Sequence, residues 1–179
     1  MKKYYIFDLD GTIADSMGYW YGSFTPEDLE NDDRMAVVRR GMKEKYATVI
    51  APKPGALAVL DRLHKQGAEM CIASATDRWV SLPFTEKYDI DRYFRFYLDC
   101  TQAGAHKDKP DIYLQAAQRL GAQPSECVVV EDGAYCAQTA HNAGFFVVGI
   151  YDVNTAPRGD VSRYSDIFIR SMEEFPPDI

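Results

Sequence analysis

Two aspartates separated by one residue, Asp8 and Asp10, follow the apolar run Tyr4 to Phe7 and lead into Gly11-Thr12. Ligands bind at the carboxyl ends of strands in open α/β sheets, so an acid pair there is well placed for chemistry, and its spacing lets the two serve different roles. Gly11 permits a tight turn and close approach of the backbone to a ligand. The plainer account is an Asp-Gly turn closing a strand. Three further groups stand at similar places along the chain. Ile72-Ala73-Ser74-Ala75-Thr76 offers hydroxyls, and His106-Lys107-Asp108-Lys109-Pro110-Asp111 puts lysine ahead of a helix start. Val128-Val129-Val130-Glu131-Asp132-Gly133 adds two more acids. Singly these read as an N-capping serine, a solvated charge cluster and an acidic turn. At successive strand ends they point to one site. The acids do not exclude a phosphorylated substrate, because a bound cation reverses the local sign.

Positioning such a site requires alternating strands and helices. Apolar, β-prone runs occur at Tyr4 to Phe7, Glu69 to Ala73, Phe96 to Leu98, Cys127 to Val130 and Phe145 to Ile150, with Asp166 to Ile169 a weaker sixth. Helix-like stretches lie between them. Ala56 to Gln66 carries Leu57, Leu60 and Leu63 at helical spacing and stops at Gly67; Pro110 to Leu120 stops at Gly121. Gly133 to Ala143 is lined with alanines that allow close packing on a sheet. This alternation predicts an α/β fold, a Rossmann-like parallel sheet with helices on both faces. Between Ser16 and Pro52 no strand is predicted. Thr25-Pro26 reads as a helix start, and Met35, Val38, Met42, Tyr46 and Val49 fall on one helical face as plain core.

The chain has 179 residues, 46% hydrophobic and 26% charged, with net charge −7. That suits one compact domain carrying a small insertion. No basic stripe marks a nucleic-acid partner, and no run approaches a membrane span. The first residues lead directly into a strand, without a leader pattern, so the cytoplasm is expected. Cys71, Cys100, Cys127 and Cys136 have no zinc spacing and read as buried thiols. His64, His106 and His141 are scattered, and Met172 to Ile179 reads as a closing segment.

The four motifs together resemble the haloacid dehalogenase superfamily, in its phosphatase and β-phosphoglucomutase branch. Asp8-Leu9-Asp10-Gly11-Thr12-Ile13-Ala14-Asp15-Ser16 carries the resemblance most closely. Dehalogenases use the second acid position differently, so Asp10 marks phosphoryl transfer. The resemblance implies a Mg²⁺-dependent phosphatase acting on a small phosphorylated metabolite. Asp8 would be the nucleophile that forms an aspartyl-phosphate, and Asp10 the acid and base. Asp8, the carbonyl of Asp10 and Asp132 would hold the Mg²⁺ cofactor, with Glu131 close by. Thr12, Ser74, Ala75 and Lys107 would bind phosphate, with Thr76 and the Leu9 amide as further donors. Counting back from Asp111 selects Lys107 as the phosphate lysine, with Lys109 as the alternative.

The resemblance also divides the chain into a core of residues 1–15 and 53–179 and a short helical cap of residues 16–52. Tyr19, Trp20 and Tyr21 stand near the cap entrance, either as substrate contacts or as packing between cap and core. Arg39, Arg40, Lys43 and Lys45 read as a solvated helix face. A monomer or homodimer is expected. Two alternatives remain: a phosphomutase using the same Asp8 chemistry, and a non-catalytic phosphate-binding module. A short cap weighs against the first, and the full set of acids with a lysine weighs against the second.

Overall fold

A parallel strand is covered on both faces and joined to the next by a crossover helix, so its side chains must be apolar on both sides. The computed structural model describes residues 2–179. Its regular elements are β1 (Tyr4–Phe7), α1 (Met17–Tyr21), α2 (Asp32–Thr48), α3 (Ala56–Lys65), β2 (Glu69–Ser74), α4 (Arg78–Lys87) and β3 (Tyr97–Asp99). They continue with α5 (Cys100–Ala103), α6 (Asp111–Leu120), β4 (Cys127–Glu131), α7 (Ala134–Asn142), β5 (Phe146–Ile150) and β6 (Ile167–Ile169). The six strands are parallel, in the order β3-β2-β1-β4-β5-β6. This is the expected Rossmann-like α/β sheet, and its strand order reverses between β1 and β4.

Alternation along the strands sorts the core into two clusters. Tyr5, Phe7, Ile72, Val128 and Val130 face one way, onto Leu60 and Leu63 of α3 and Val80 and Phe84 of α4. Ile6, Cys71, Ala73, Cys127 and Val129 face the other way, onto α6 and α7, where fully buried Ala137 and Ala140 allow close approach. All four cysteines are free and buried. Desolvation pushes the Cys71 thiol up and the Cys127 thiol to about 11. Among the described residues, no helix is long and apolar enough to cross a membrane. The tail closes the first cluster: Met172 and Phe175 are buried there, and Arg62 donates to the Phe175 and Pro176 carbonyls at 3.1 and 2.9 Å.

The segment after β1 is helical, with details that depart from expectation. Thr25-Pro26 opens only a separate 3-10 turn, Pro26–Glu30, in which Asp28 accepts the Thr25 N–H at 2.8 Å. The helix α2 begins afresh after Asn31, an extended residue whose side chain caps Arg34 N–H at 3.0 Å. Asn31 is a strong N-cap, and Asp32 and Asp33 suit the positive end of the helix dipole. The predicted stripe holds at Met42 and Tyr46, which are fully buried, but Val49 is 55% exposed. Val49 lies just past the last helical residue, and Ile50 takes the buried place instead. The helix α4 was not anticipated; its interior Pro83 masks a buried pair, Val80 and Phe84, one turn apart.

Phe84 is fully buried and meets Tyr46 edge-on at 6.0 Å, joining α4 to α2. Phe84→Ala is expected to cost about 3–5 kcal/mol, read as a lower urea midpoint at unchanged m-value.

Candidate active site

The site begins where β1 ends. The Asp8 N–H donates to the Val130 carbonyl at 2.9 Å, which carries the β1–β4 pairing one residue past the strand and sets Asp8 beside Glu131 and Asp132. The chain then folds back, with the Ile13 and Ala14 N–H groups both donating to the Leu9 carbonyl at 2.9 and 2.8 Å. Gly11 makes the turn at φ 81°, and a Cβ there would lie 2.1 Å from Asp132 Oδ2. Glycine is therefore needed twice over, for the left-handed backbone and for the close approach of Asp132.

Asp8, Glu131 and Asp132 are all buried and offer carboxylate oxygens within 4.8 Å of one another. Lys107 is 3% exposed and donates to Asp8 Oδ1 and, at 2.6 Å, to Glu131 Oε1. Tyr113 donates to the same Glu131 oxygen at 2.6 Å. Lys109 is exposed, so Lys107 is the lysine brought to Asp8. One ammonium thus faces three carboxylates. Burial, then Glu131, hold Asp8 well above the usual carboxylate range, with Lys107 opposing them. Burial, then Glu131 and Asp152, push Asp132 to about 8. Burial works against the charge on Lys107, but Asp8 and Glu131 outweigh it and keep the ammonium protonated.

Asp10 lies apart from this cluster and is gripped by four donors. Its Oδ1 accepts from Ser16 Oγ at 2.5 Å, Trp20 Nε1 at 3.2 Å and the Tyr46 hydroxyl; its Oδ2 accepts from Thr76 Oγ1 at 2.7 Å. Trp20 Nε1 also lies 3.0 Å from the Tyr46 oxygen. Burial, then the Asp10 charge, hold the Tyr46 phenol well above its ordinary value, so it stays a donor. Tyr46 was expected to be plain core; its ring is, but its hydroxyl reaches the site. Of the aromatic trio, Trp20 contacts Asp10, Tyr21 lines the site and Tyr19 is exposed.

Of the remaining candidates, Thr12, Ser74 and Ala75, it is Ala75 that lines the cavity around these acids. Thr12 is fully buried, and its Oγ1 has no hydrogen-bond partner. Ser74 is buried at the end of β2 and accepts the Thr76 N–H at 3.0 Å. Ala75 is exposed at the opening. A small cavity of about 100 Å³ is lined by Asp8, Asp10, Ala75, Lys107, Glu131 and Asp132. Beside it lies a larger cleft of about 340 Å³, lined by Asp10, Trp20, Tyr21, Thr76, Arg39 and His106 among others. Arg39 is therefore not on a purely solvated face: it forms a wall of the cleft, 3.4 Å from Asp77.

Two residues that the motifs did not reveal brace the loop from behind. Lys53 Nζ donates to the Gly11 carbonyl at 2.9 Å and to Asp152 Oδ2 at 2.7 Å. Asp152 also accepts from the Asn154 and Thr155 amides at 2.8 and 3.2 Å. The lysine beside Pro54 was the available signal, but nothing local gave its partner.

Known proteins resemble this chain to different extents. Residues 20–144 match the family described as haloacid dehalogenase-like hydrolase. A haloacid dehalogenase-like hydrolase domain-containing protein of Arabidopsis thaliana is 32% identical over 141 residues, covering 71% of this chain but 44% of that protein. This chain thus spans less than half the length of that relative. Hexitol phosphatase A of Escherichia coli (strain K12) is 26% identical over 211 residues, covering 96% of this chain and 92% of that one. The crystal structure of β-phosphoglucomutase from Clostridium difficile superposes with a TM-score of 0.76 at 18% identity, covering 98% of this chain and 94% of that one. Its likeness concerns the fold; the family match, which begins after Asp8 and Asp10, runs through the helical segment, β2, β3, β4, Lys107 and the Glu131-Asp132 pair, and by it the chain belongs to the haloacid dehalogenase-like hydrolases.

Proposed function

We propose that the chain is a cytoplasmic, Mg²⁺-dependent phosphatase that hydrolyses the phosphate monoester of a small metabolite through an aspartyl-phosphate on Asp8. Asp10 carries this reading: it lines both the small cavity around Asp8 and the larger cleft, so it stands where a phosphoryl group in one meets a leaving group in the other. An Asp8 oxygen attacks phosphorus, the ester P–O bond breaks, and Asp10 gives its proton to the departing alcohol oxygen. Water then attacks the aspartyl-phosphate, Asp10 takes a proton from it, and phosphate leaves with Asp8 restored. Lys107, which donates to Asp8 and lines the small cavity, would favour charge on the phosphoryl oxygens, and the unpartnered Thr12 hydroxyl would add a donor.

The donor set fits a hard cation. Asp132 Oδ2 is buried without a hydrogen-bond partner, and one ammonium leaves the three acids under-compensated. Asp8 and Asp132, with the Asp10 carbonyl, would hold Mg²⁺, which prefers oxygen ligands. Glu131 already accepts from Lys107 and Tyr113 and lies behind them. When bound, the ion offsets repulsion between the Asp8 carboxylate and the phosphoryl oxygens. Leu29 and Tyr135 on the cleft walls are 57% and 58% exposed, so water has access, which favours hydrolysis over mutase transfer.

Phosphate release from an aryl phosphate should require Mg²⁺, stop with EDTA, and fall on the order of 10³-fold or more in Asp8→Asn. Release that persists in Asp8→Asn refutes the nucleophile. Tyr46→Phe should lower kcat about tenfold or more for alkyl phosphates, which need a proton on the departing oxygen. It should have far less effect on 4-nitrophenyl phosphate; equal losses on both would assign Tyr46 a structural role only. The metal-free fold binds a proton on Asp132 up to about pH 8, whereas unfolded Asp132 releases it near 3.8. The folded state therefore holds more protons in that window, and stability falls as pH rises through it. Thermal melts should show Mg²⁺ raising Tm more at pH 8 than at pH 6, with the difference reduced in Asp132→Asn.

A further inference from the structure

Gly11 gives the site a mechanical problem. The turn needs glycine so that Asp132 can approach, yet glycine is the residue whose backbone is least restrained by its own sterics. The peptide planes on its two sides must therefore be held from outside. The Gly11 N–H holds one by donating to the Ala14 carbonyl at 2.9 Å. In a trans peptide this points the Asp10 carbonyl the opposite way, out of the turn. The Gly11 carbonyl holds the other by accepting from Lys53 Nζ at 2.9 Å.

We propose that Lys53 and Asp152 are positioning residues that keep this turn rigid enough for the site to favour Mg²⁺ over a larger divalent ion. The inference rests on the reading of Asp8, Asp132 and the Asp10 carbonyl as cation ligands, and the hydrogen bonds supply the restraint. Lys53 stands where the helical segment returns to the core. Its N–H donates to the Ile13 carbonyl at 2.8 Å, and the Asp15 N–H donates to the Ala51 carbonyl at 2.9 Å. All three donors of the ammonium are used: on Gly11, on Asp152 Oδ2 at 2.7 Å and on the Tyr151 carbonyl at 3.4 Å. Asp152 is 3% exposed, and its other oxygen is fixed by the Asn154 and Thr155 amides. Thr155 Oγ1 lies 3.5 Å from the Asp132 carbonyl, so the same anchor reaches both loops that carry the acids. Such a pair is weak as a stabiliser, because desolvation offsets its attraction, but a fully satisfied network restrains the groups it joins. Mg²⁺ demands near-ideal octahedral geometry, whereas Ca²⁺ accepts a flexible one at longer distances. A turn free to shift would therefore cost Mg²⁺ far more than Ca²⁺. A change of charge alone would act on the two divalent ions alike.

Calorimetry of Mg²⁺ and of Ca²⁺ binding, without substrate, separates these effects. Lys53→Met combined with Asp152→Asn removes one positive and one negative charge and so keeps the local balance. The Asn oxygen still accepts the Asn154 and Thr155 amides, but no ammonium reaches the Gly11 carbonyl. Mg²⁺ affinity should fall about tenfold or more, and Ca²⁺ affinity by less than about threefold. Lys53→Gln is the milder variant where the double one does not fold, and it should lower the Mg²⁺ preference about threefold or more. An unchanged preference in the folded variants, or affinities for the two ions that fall together, overturns the proposal. So does a rise in Mg²⁺ affinity in the double variant. Absence of Mg²⁺ binding by the unaltered protein refutes the cation reading, and the proposal with it. The selective loss, in a protein that releases phosphate from no ester, would uphold the positioning role and refute the phosphatase reading instead.

Discussion

Lys107 is buried between Asp8 and Glu131, with Asp132 beside them, and the surrounding structure is organised by the electrostatics of that group. Bringing charges out of water costs several kcal/mol per ion unless partners and hydrogen bonds compensate. Lys107 receives two such partners, and Tyr113 adds a donor to Glu131 on its far side. Asp132 receives less, which is why its carboxyl is pushed to about 8 and one of its oxygens has no partner. Such a cluster is poorly balanced as a structural device. A divalent cation would balance the formal charge of its three carboxylates and one ammonium.

The sheet topology makes this concentration of charge attainable. Strand order reverses between β1 and β4, so the loops leaving their carboxyl ends diverge and open a crevice. Asp8 and Asp132 leave adjacent strands into that crevice, and Gly11 lets the two loops meet without a side chain between them. Lys107 arrives from the loop before α6. Lys53 ties the Gly11 carbonyl to Asp152 and fixes the turn. The apolar faces of the strands hold the acids in place, so that little backbone rearrangement is needed to form the site.

Much of this was legible because its determinants are local. The runs Tyr4 to Phe7 and Cys127 to Val130 have the composition of buried strands, and Asp8, Asp10, Glu131 and Asp132 follow them directly. Helix stops at Gly67 and Gly121 were read from single residues, and both have positive φ. What escaped reading depends on contacts distant in sequence. Tyr46 lies 36 residues from Asp10 and sits in a stripe whose period signals core, so its hydroxyl gave no separate sign. Arg39 resembles its charged neighbours until α4 is placed beside it with Asp77 at the start. Lys53 and Asp152 are 99 residues apart, and neither stands in a recognisable motif. Helix α4 itself was hidden because Pro83 argues against a helix interior, and only the buried pair Val80 and Phe84 outweighs it.

The helical insert does more than lie over the crevice. Its inner face shares the core cluster of the sheet through Met42 and Tyr46, so it is packed directly against the sheet's core. Tyr46 meets Phe84 with its ring and Asp10 with its hydroxyl, and Trp20 links the same two groups from α1. The position of the insert therefore sets two things together: the orientation of the Asp10 carboxylate and the shape of the cleft against which it stands. A shift of α2 large enough to widen the cleft would also withdraw a donor from Asp10. On the proposed reading, the fit of a leaving group in the cleft and the orientation of Asp10 would be coupled through this one buried tyrosine.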